Sequence, residues 1–171
     1  MSGLTLPPAL RDVEPMRSIR APARLEYTFT AGQATSRFLR GMAERRILGE
    51  RCGVCGKVML PPRGSCPTDG VPTSEQVDLA DRGIVTTFCV VNVKFSGSAM
   101  ELPYACATVL PDGADMGLFG MVQEVPSDQI RMGMRVEAVW DDEPGPSLAS
   151  IKWWRPTGEP DAPYESYREH V

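Results

Sequence analysis

The sequence has only one histidine, and this scarcity excludes several classes of catalytic and metal site. His170 stands next to the last of the 171 residues, so a His-based catalytic dyad or triad is disfavoured and a zinc site with two histidines is excluded. No run of 18 apolar residues is present, so we expect no membrane span. The first ten residues lack the charged and apolar regions of a secretory signal. We therefore expect a cytoplasmic protein.

Aromatic residues are also few, and negative charges outnumber positive ones. Aromatics make up 7% of the chain, and the formal net charge is −4. Residues 1–51 hold nine Lys and Arg against five Asp and Glu, whereas residues 52–171 hold nine against seventeen. Binding of single-stranded nucleic acid needs a positive groove and stacking rings. Residues 52–171 are acidic and the chain has few aromatic rings, so a nucleic-acid partner is disfavoured.

Glycine and proline, by contrast, are abundant, with sixteen of each. This composition predicts turns and short strands rather than long helices. From residue 75 onward, β-branched runs alternate with such turns. We expect strands within 76–80, 83–95, 104–110, 117–125, 134–140 and 148–155, with a flexible loop at 96–98. Five or six short strands predict a mainly β fold built on a small barrel.

The chain divides by composition into four predicted segments. These are an N-terminal arm at 1–34, a helix plus cysteine module at 35–74, the barrel at 75–155 and a loosely ordered tail at 156–171. Alternating apolar and polar residues at 25–30 suit a short strand within the arm. Apolar residues at helical spacing predict an amphipathic helix over 35–49, capped by Thr35 or Ser36 and ended by Gly49.

Two short cysteine motifs predict a metal site. Cys52 and Cys55 form a C-x-x-C-G motif, and Cys66-Pro67-Thr68-Asp69-Gly70 repeats its shape with Asp69 where a fourth cysteine would stand. Three thiolates and one carboxylate can hold a structural Zn²⁺ tetrahedrally. A degenerate module that folds without metal is the alternative, and a redox pair fits less well because a helix precedes Cys52. Cys89 and Cys106 lie in β-branched runs, where buried core positions are the default for cysteine.

The ordered motifs resemble a known family. The strings are Arg37-Phe38-Leu39, Ile47-Leu48-Gly49, the cysteine motifs, Pro61-Pro62-Arg63 and Gly83-Ile84-Val85-Thr86. Over residues 35–155 they resemble the zinc-ribbon/OB-fold family catalogued as domain of unknown function thirty-five (DUF35). The resemblance implies a rubredoxin-like zinc ribbon followed by a five- to six-stranded OB-fold barrel. Asp69 departs from the family's usual fourth cysteine.

The resemblance also implies a function. Members of this family are accessory subunits of thiolase-superfamily enzymes, so it implies a non-catalytic subunit in a hetero-oligomer around a thiolase dimer. The partner would be a thiolase or a side-chain-cleaving aldolase, as in steroid catabolism. The subunit would stabilise the enzyme and help to form the acyl-CoA site. No catalytic residue is assigned to this chain. An OB-fold nucleic-acid-binding protein and a stand-alone acyl-CoA-binding or hydrolysing protein are the alternatives.

Candidate contact residues for CoA or the partner come from charge and from tryptophan. Guanidinium groups suit the phosphates of CoA, although solubility and salt bridges explain most surface arginines. Trp153 and Trp154 are adjacent in a predicted strand, so one can fill the barrel while the other reaches a contact surface. The candidate arginines are Arg37, Arg40, Arg45, Arg46 and Arg63.

Overall fold

The computed structural model describes residue 8 and residues 12–14, 25–94 and 100–171. The chain divides into two compact units, Met1–Thr30 and Ala31–Val171. In the first unit, the strand predicted at 25–30 is absent, and its apolar side chains are exposed. Alternation alone does not supply the neighbouring strand that a ladder requires. The other residues predicted for this arm before residue 25, and the loop predicted at 96–98, lie outside the described residues apart from 8 and 12–14.

A helix and a small sheet open the second unit. The helix, α1, spans Gln33–Ala43, and the sheet consists of β1 (Ile47–Arg51), β2 (Val58–Met59) and β3 (Glu75–Leu79). All pairings are antiparallel, in the order β2-β1-β3. Strand β3 was expected to be the first strand of the predicted barrel segment, but it pairs with β1.

The helix is shorter than the sequence predicted. It begins after Gly32, with no side-chain cap, and ends at Ala43 rather than continuing to Gly49. Arg45 has a φ of 58°, which turns the chain out of the helix. Periodicity missed this end because Ile47 and Leu48 continue the apolar spacing of the helix, yet both lie in β1.

Five strands close into a barrel, which confirms the mainly β fold. They are β4 (Arg82–Val91), β5 (Tyr104–Pro111), β6 (Leu118–Val122), β7 (Arg135–Trp140) and β8 (Ile151–Pro156). Their order is β4-β5-β6-β8-β7. The β6–β8 pairing is parallel and the others are antiparallel.

One hydrophobic core joins the helix to the barrel. Phe38 and Met42 on α1 and Ile47 on β1 belong to the same buried cluster as Val109 on β5 and Trp154 on β8. A second, smaller cluster contains Cys52, Met59, Cys66 and Val71. The helix and the three-stranded sheet are therefore held on the barrel by shared apolar burial. Among the described residues, no helix is long and apolar enough to cross a membrane.

The C-terminal tail is packed, which corrects the prediction of a loosely ordered segment. Tyr167 is only 5% exposed, and the N–H of Ala162 donates to the carbonyl of Gly133 at 2.8 Å. The Nδ1 atom of His170 lies 3.0 Å from the carbonyl oxygen of Asp115. Polar and Pro-rich composition failed as a guide here because the tail is ordered by the surface on which it lies.

The two strand cysteines are not core residues, contrary to expectation. Cys89 is exposed and Cys106 is half-buried. The register of β4 against β5 shifts between Val85 and Thr87, and a bulge of this kind changes which side chains face the core, so it turns Cys89 outward. Cys106 faces outward because its neighbours on β5, Ala105 and Ala107, are buried. The composition predicted the strands, but it did not predict which side of each strand faces the core.

Candidate metal centre

The first half of the candidate site is a turn from Cys52 to Lys57. The N–H of Cys52 donates to the carbonyl of Lys57 at 2.9 Å, and the N–H of Gly56 donates to the carbonyl of Cys52 at 3.0 Å. Gly56 has a φ of 75°, in the left-handed region that glycine adopts without strain. The N–H of Val54 donates to Sγ of Cys52 at 3.4 Å. The tight turn places the thiols of Cys52 and Cys55 on one side.

The second half repeats this turn from Cys66 to Val71. The N–H of Cys66 donates to the carbonyl of Val71 at 2.8 Å, and the N–H of Gly70 donates to the carbonyl of Cys66 at 2.9 Å. Gly70 has a φ of 67°. Asp69 therefore occupies the position in this turn that Cys55 occupies in the first.

The two turns bring the four predicted ligands together. Donor atoms of Cys52, Cys55, Cys66 and Asp69 all lie within 4.8 Å of one another. The Sγ atoms of Cys55 and Cys66 are 3.7 Å apart, close to the edge of about 3.8 Å in a tetrahedron with Zn–S bonds of about 2.3 Å. The Oδ2 atom of Asp69 lies 3.2 Å from Sγ of Cys52 and 3.3 Å from Sγ of Cys66. The donor set fits a zinc ion with three sulfurs and one oxygen.

Hydrogen bonds among these side chains set their protonation. Donation by the thiols of Cys55, Cys52 and Cys66 holds the pKa of Asp69 below its usual value. Donation to Asp69 in turn raises the pKa of Cys55 to about 12. Burial opposes ionisation of Cys66, but backbone N–H groups outweigh it and lower the pKa of this thiol. Because a metal binds thiolates, zinc binding at this site releases protons.

The geometry is that of a closed site. Side chains supply all four positions around a tetrahedral ion, whereas a catalytic zinc keeps one position for water or substrate. Cys52 and Cys66 are buried, Asp69 is half-buried and Cys55 is exposed. The cluster is therefore suited to structural zinc binding.

A buried carboxylate ties the helix to the small sheet. Glu50 on β1 is 1% exposed; its Oε1 accepts a hydrogen bond from Nη2 of Arg37 at 2.6 Å, and its Oε2 accepts one from Oγ1 of Thr73 at 2.8 Å. Burial of a charge is tolerated only with such partners. The sequence predicted Arg37 on a CoA or partner surface, and Glu50 was not singled out. The signal for Glu50 was a charged residue directly after the apolar stretch Ile47-Leu48-Gly49.

Two further candidate arginines make contacts within the chain. Arg45 donates to the carbonyls of Asp141 and Asp142, both at 3.1 Å. Arg46 donates through Nε and Nη2 to the two carboxylate oxygens of Asp78, at 3.0 and 2.9 Å. These contacts link the end of α1 to the barrel and to β3, so both side chains have a structural use.

The other two candidate arginines are available to a ligand or partner. Arg40 and Arg63 are exposed, and neither has a hydrogen-bond or ion-pair partner among the described residues. Arg63 lines a cavity of about 320 Å³. The other residues lining this cavity are Met59, Pro61, Ser65, Pro67 and Met116. The cavity therefore combines one cation with largely apolar walls.

The two tryptophans face opposite sides of β8, as alternation predicts. Trp154 is 1% exposed and belongs to the barrel core. Trp153 is half-buried; its Nε1 donates to Glu124 at 2.8 Å, and the ammonium of Lys152 lies 5.4 Å from its ring centre. Only Trp153 reaches the surface, so Trp154 is enclosed rather than a contact residue.

Family models match two consecutive parts of the chain. Residues 40–75 match the rubredoxin-like zinc ribbon domain of ChsH2, and residues 76–141 match the C-terminal OB-fold domain of ChsH2. The first match contains the four residues of the metal cluster, and the second contains β4 to β7.

Curated relatives are DUF35 domain-containing scaffold proteins. One, from Methanocaldococcus jannaschii, is 33% identical over 96 residues, which are 55% of this chain and 67% of the relative. Another, from Pyrococcus furiosus, is 30% identical over 105 residues, which are 61% of this chain and 76% of the relative.

Solved structures share the fold. The Ltp2-ChsH2(DUF35) aldolase superposes with a TM-score of 0.56 at 23% identity, over 73% of this chain and 95% of that chain. A DUF35 protein of unknown function from Sulfolobus solfataricus gives a TM-score of 0.56 at 19% identity, over 74% of this chain and 85% of that chain. At these identities the likeness establishes the fold alone.

Proposed function

Because the chain belongs to the DUF35 family of zinc-ribbon/OB-fold proteins, we propose that it is a non-catalytic accessory subunit of a thiolase-superfamily enzyme. The partner is a thiolase or an aldolase that cleaves side chains, such as those of steroids. The subunit and its partner form a hetero-oligomer around a thiolase dimer. The curated relatives are scaffold proteins, and one protein of the same fold carries the name of an aldolase with two components, Ltp2 and ChsH2. Both descriptions support a role in assembly.

The observation that carries the proposal is the closed cluster of Cys52, Cys55, Cys66 and Asp69. A metal enclosed by four side chains stabilises a fold and offers no position to a substrate. The ribbon therefore acts as a rigid module beside the barrel. All five cysteines are free thiols, which suits the reducing cytoplasm in which we place the complex.

The acyl-CoA site is the finer part of the proposal. Arg63 presents an uncommitted guanidinium at the mouth of a cavity with apolar walls, and Arg40 presents a second one on α1. A phosphate joined to a flexible, partly apolar chain, as in acyl-CoA, matches this combination of groups. The residues proposed to contact CoA or the partner are therefore Arg40, Arg63 and Trp153. The other candidate arginines, Arg37, Arg45 and Arg46, stabilise the fold as well through their contacts within the chain.

Co-expression tests the proposal directly. The chain is produced with each thiolase-superfamily protein of the same genome, and the products are purified and sized by light scattering. We expect one stable complex that contains both chains and turns over acyl-CoA. In that complex, Arg63→Ala should raise the KM for acyl-CoA without releasing the subunit, whereas Arg168→Ala, at an exposed tail position, should leave KM unchanged. Absence of a complex with every such protein, or turnover of acyl-CoA by the isolated chain, would contradict the accessory role.

A further inference from the structure

On β5, on β6 and on the part of β4 from Thr87 to Val91, the side chains that point away from the barrel core carry no charge. Strand registers align three rows across these strands on the side opposite the core. The first row is Thr87, Thr108 and Phe119; the second is Cys89, Cys106 and Met121; the third begins with Val91 and Tyr104. The intervening residues of β5, Ala105, Ala107 and Val109, are buried in the barrel. We call these eight outward positions the outer face.

This pattern departs from that of a solvated sheet. An antiparallel sheet with one wet face normally alternates apolar residues inside with polar, often charged residues outside. Here the outward positions are apolar or weakly polar, and Phe119 is 71% exposed. A contiguous surface of this kind marks an interaction site more often than an isolated exposed residue does.

The outer face also contains a depression of a size that suits one side chain. A cavity of about 170 Å³ opens between Thr87, Cys89, Cys106, Thr108 and Phe119. Protein interfaces concentrate their binding energy where an apolar or aromatic anchor enters such a depression. The depression therefore has the size to receive one such anchor.

Charge at one end of the outer face restricts the occupant. Tyr104 of the third row lines a cavity of about 420 Å³ together with Glu101 and Glu124. Two copies docked on each other would each carry a net charge of −4, and like charges oppose association. A partner with an apolar patch bordered by Lys or Arg would meet complementary charge instead.

We propose that the outer face is the docking surface for the partner enzyme, whose contact patch is apolar and bordered by basic residues. This inference rests on the proposed function and names the surface that carries it out. An aliphatic or aromatic side chain of the partner occupies the depression beside Phe119, and Lys or Arg at the border meets Glu101 and Glu124.

The outer face carries its own chemical probe. Cys89 is an exposed free thiol, so iodoacetamide alkylates it in the isolated chain. The test uses the complex obtained by co-expression and compares the alkylation of Cys89 with that of the isolated chain by mass spectrometry. We expect assembly to slow this reaction at least about tenfold, because the thiol lies in the middle row of the surface that is covered.

A charged substitution measures the contribution to affinity. Phe119→Asp should weaken the complex at least about tenfold, since it places a carboxylate within the apolar contact, beside the depression. Leu148→Asp is the matched control: it alters another exposed apolar side chain, 49% exposed and outside the outer face, and should change the affinity by less than about twofold. Because Phe119 is exposed, its substitution spares the core, and circular dichroism checks the fold.

The outcomes separate the two proposals. A complex in which Cys89 reacts as in the free chain and Phe119→Asp binds as tightly as the unaltered chain would overturn the docking surface and leave the accessory role standing. Self-association of the isolated chain that Phe119→Asp abolishes would assign the outer face to a second copy and also overturn the inference. Absence of a complex with every thiolase-superfamily protein would overturn both proposals.

Discussion

At the scale of single residues, one side chain determines the character of the metal site. Asp69 stands at the position of Cys55 in a matching turn, and its carboxylate reaches Sγ of both Cys52 and Cys66. A carboxylate is a harder ligand than a thiolate, so it holds a borderline-soft ion such as zinc less tightly. The site therefore keeps tetrahedral geometry with a weaker fourth ligand than a ribbon of four cysteines.

Substitution of Asp69 tests its role as a ligand. Asp69→Ala should weaken zinc binding at least about tenfold, which corresponds to about 1.4 kcal/mol, and Asp69→Cys should tighten it because the added thiolate is softer. Competition with a chromophoric chelator measures both affinities. Asp128→Ala, at an exposed acidic position, is the control and should behave as the unaltered chain. Equal zinc affinity for Asp69→Ala and the control would remove Asp69 from the ligand set.

At the scale of elements, the tail acts as an additional layer on the barrel. Tyr167 is buried and its ring meets that of Tyr164 edge-on, with centroids 5.5 Å apart. Arg131 forms an ion pair with Asp161 at 2.6 Å. These contacts hold residues that have little regular structure of their own, so the tail depends on the barrel for its order.

Substitution of the two tail tyrosines measures how much the tail contributes to stability. Tyr167→Ala should lower the free energy of unfolding by about 3 kcal/mol, because it leaves a cavity where an aromatic ring was buried. Tyr164→Ala should cost about 1 kcal/mol, since that ring is 55% exposed and loses mainly its aromatic contact. Urea denaturation followed by fluorescence gives both values. Similar small losses for the two variants would mean that the tail is not part of the cooperative fold.

At the scale of the whole molecule, two clusters of different size divide the stabilisation of the second unit. The large core joins α1 and β1 to the barrel, whereas the small cluster around Cys52 and Cys66 contains few apolar groups. Structural zinc typically supplies folding free energy to modules with so little apolar burial. The barrel has its own core and does not depend on the ion in the same way.

Removal of zinc tests this division. Chelation should speed hydrogen exchange in the two turns, 52–57 and 66–71, while β5 and β7 stay protected by the large core. Hydrogen exchange with mass spectrometry, on zinc-loaded and chelated protein, resolves these segments. The Asp69→Ala variant should reach the chelated pattern at a lower chelator concentration. Loss of protection throughout the barrel, or unchanged exchange in the turns, would contradict the assignment.

The sequence by itself determined the fold class and the ligand set. β-branched runs between Gly and Pro turns predicted the barrel strands, because strand propensity and turn chemistry are local properties. The spacing of Cys52, Cys55, Cys66 and Asp69 predicted one cluster, because each turn of six residues fixes its own geometry. The alternation of Trp153 and Trp154 was also readable, since neighbouring side chains in a strand face opposite sides.

Tertiary structure decided the features that depend on distant parts of the chain. The end of α1, the pairing of β3 with β1 and the packing of the tail follow from contacts that local periodicity does not contain. The ion pair of Arg37 with the buried Glu50 arises only when the helix lies on the sheet. The outer face depends on the bulge in β4, because a single inserted residue reverses which side chains reach solvent. Patterns along the chain thus determined which elements form, and long-range packing determined which surfaces they present.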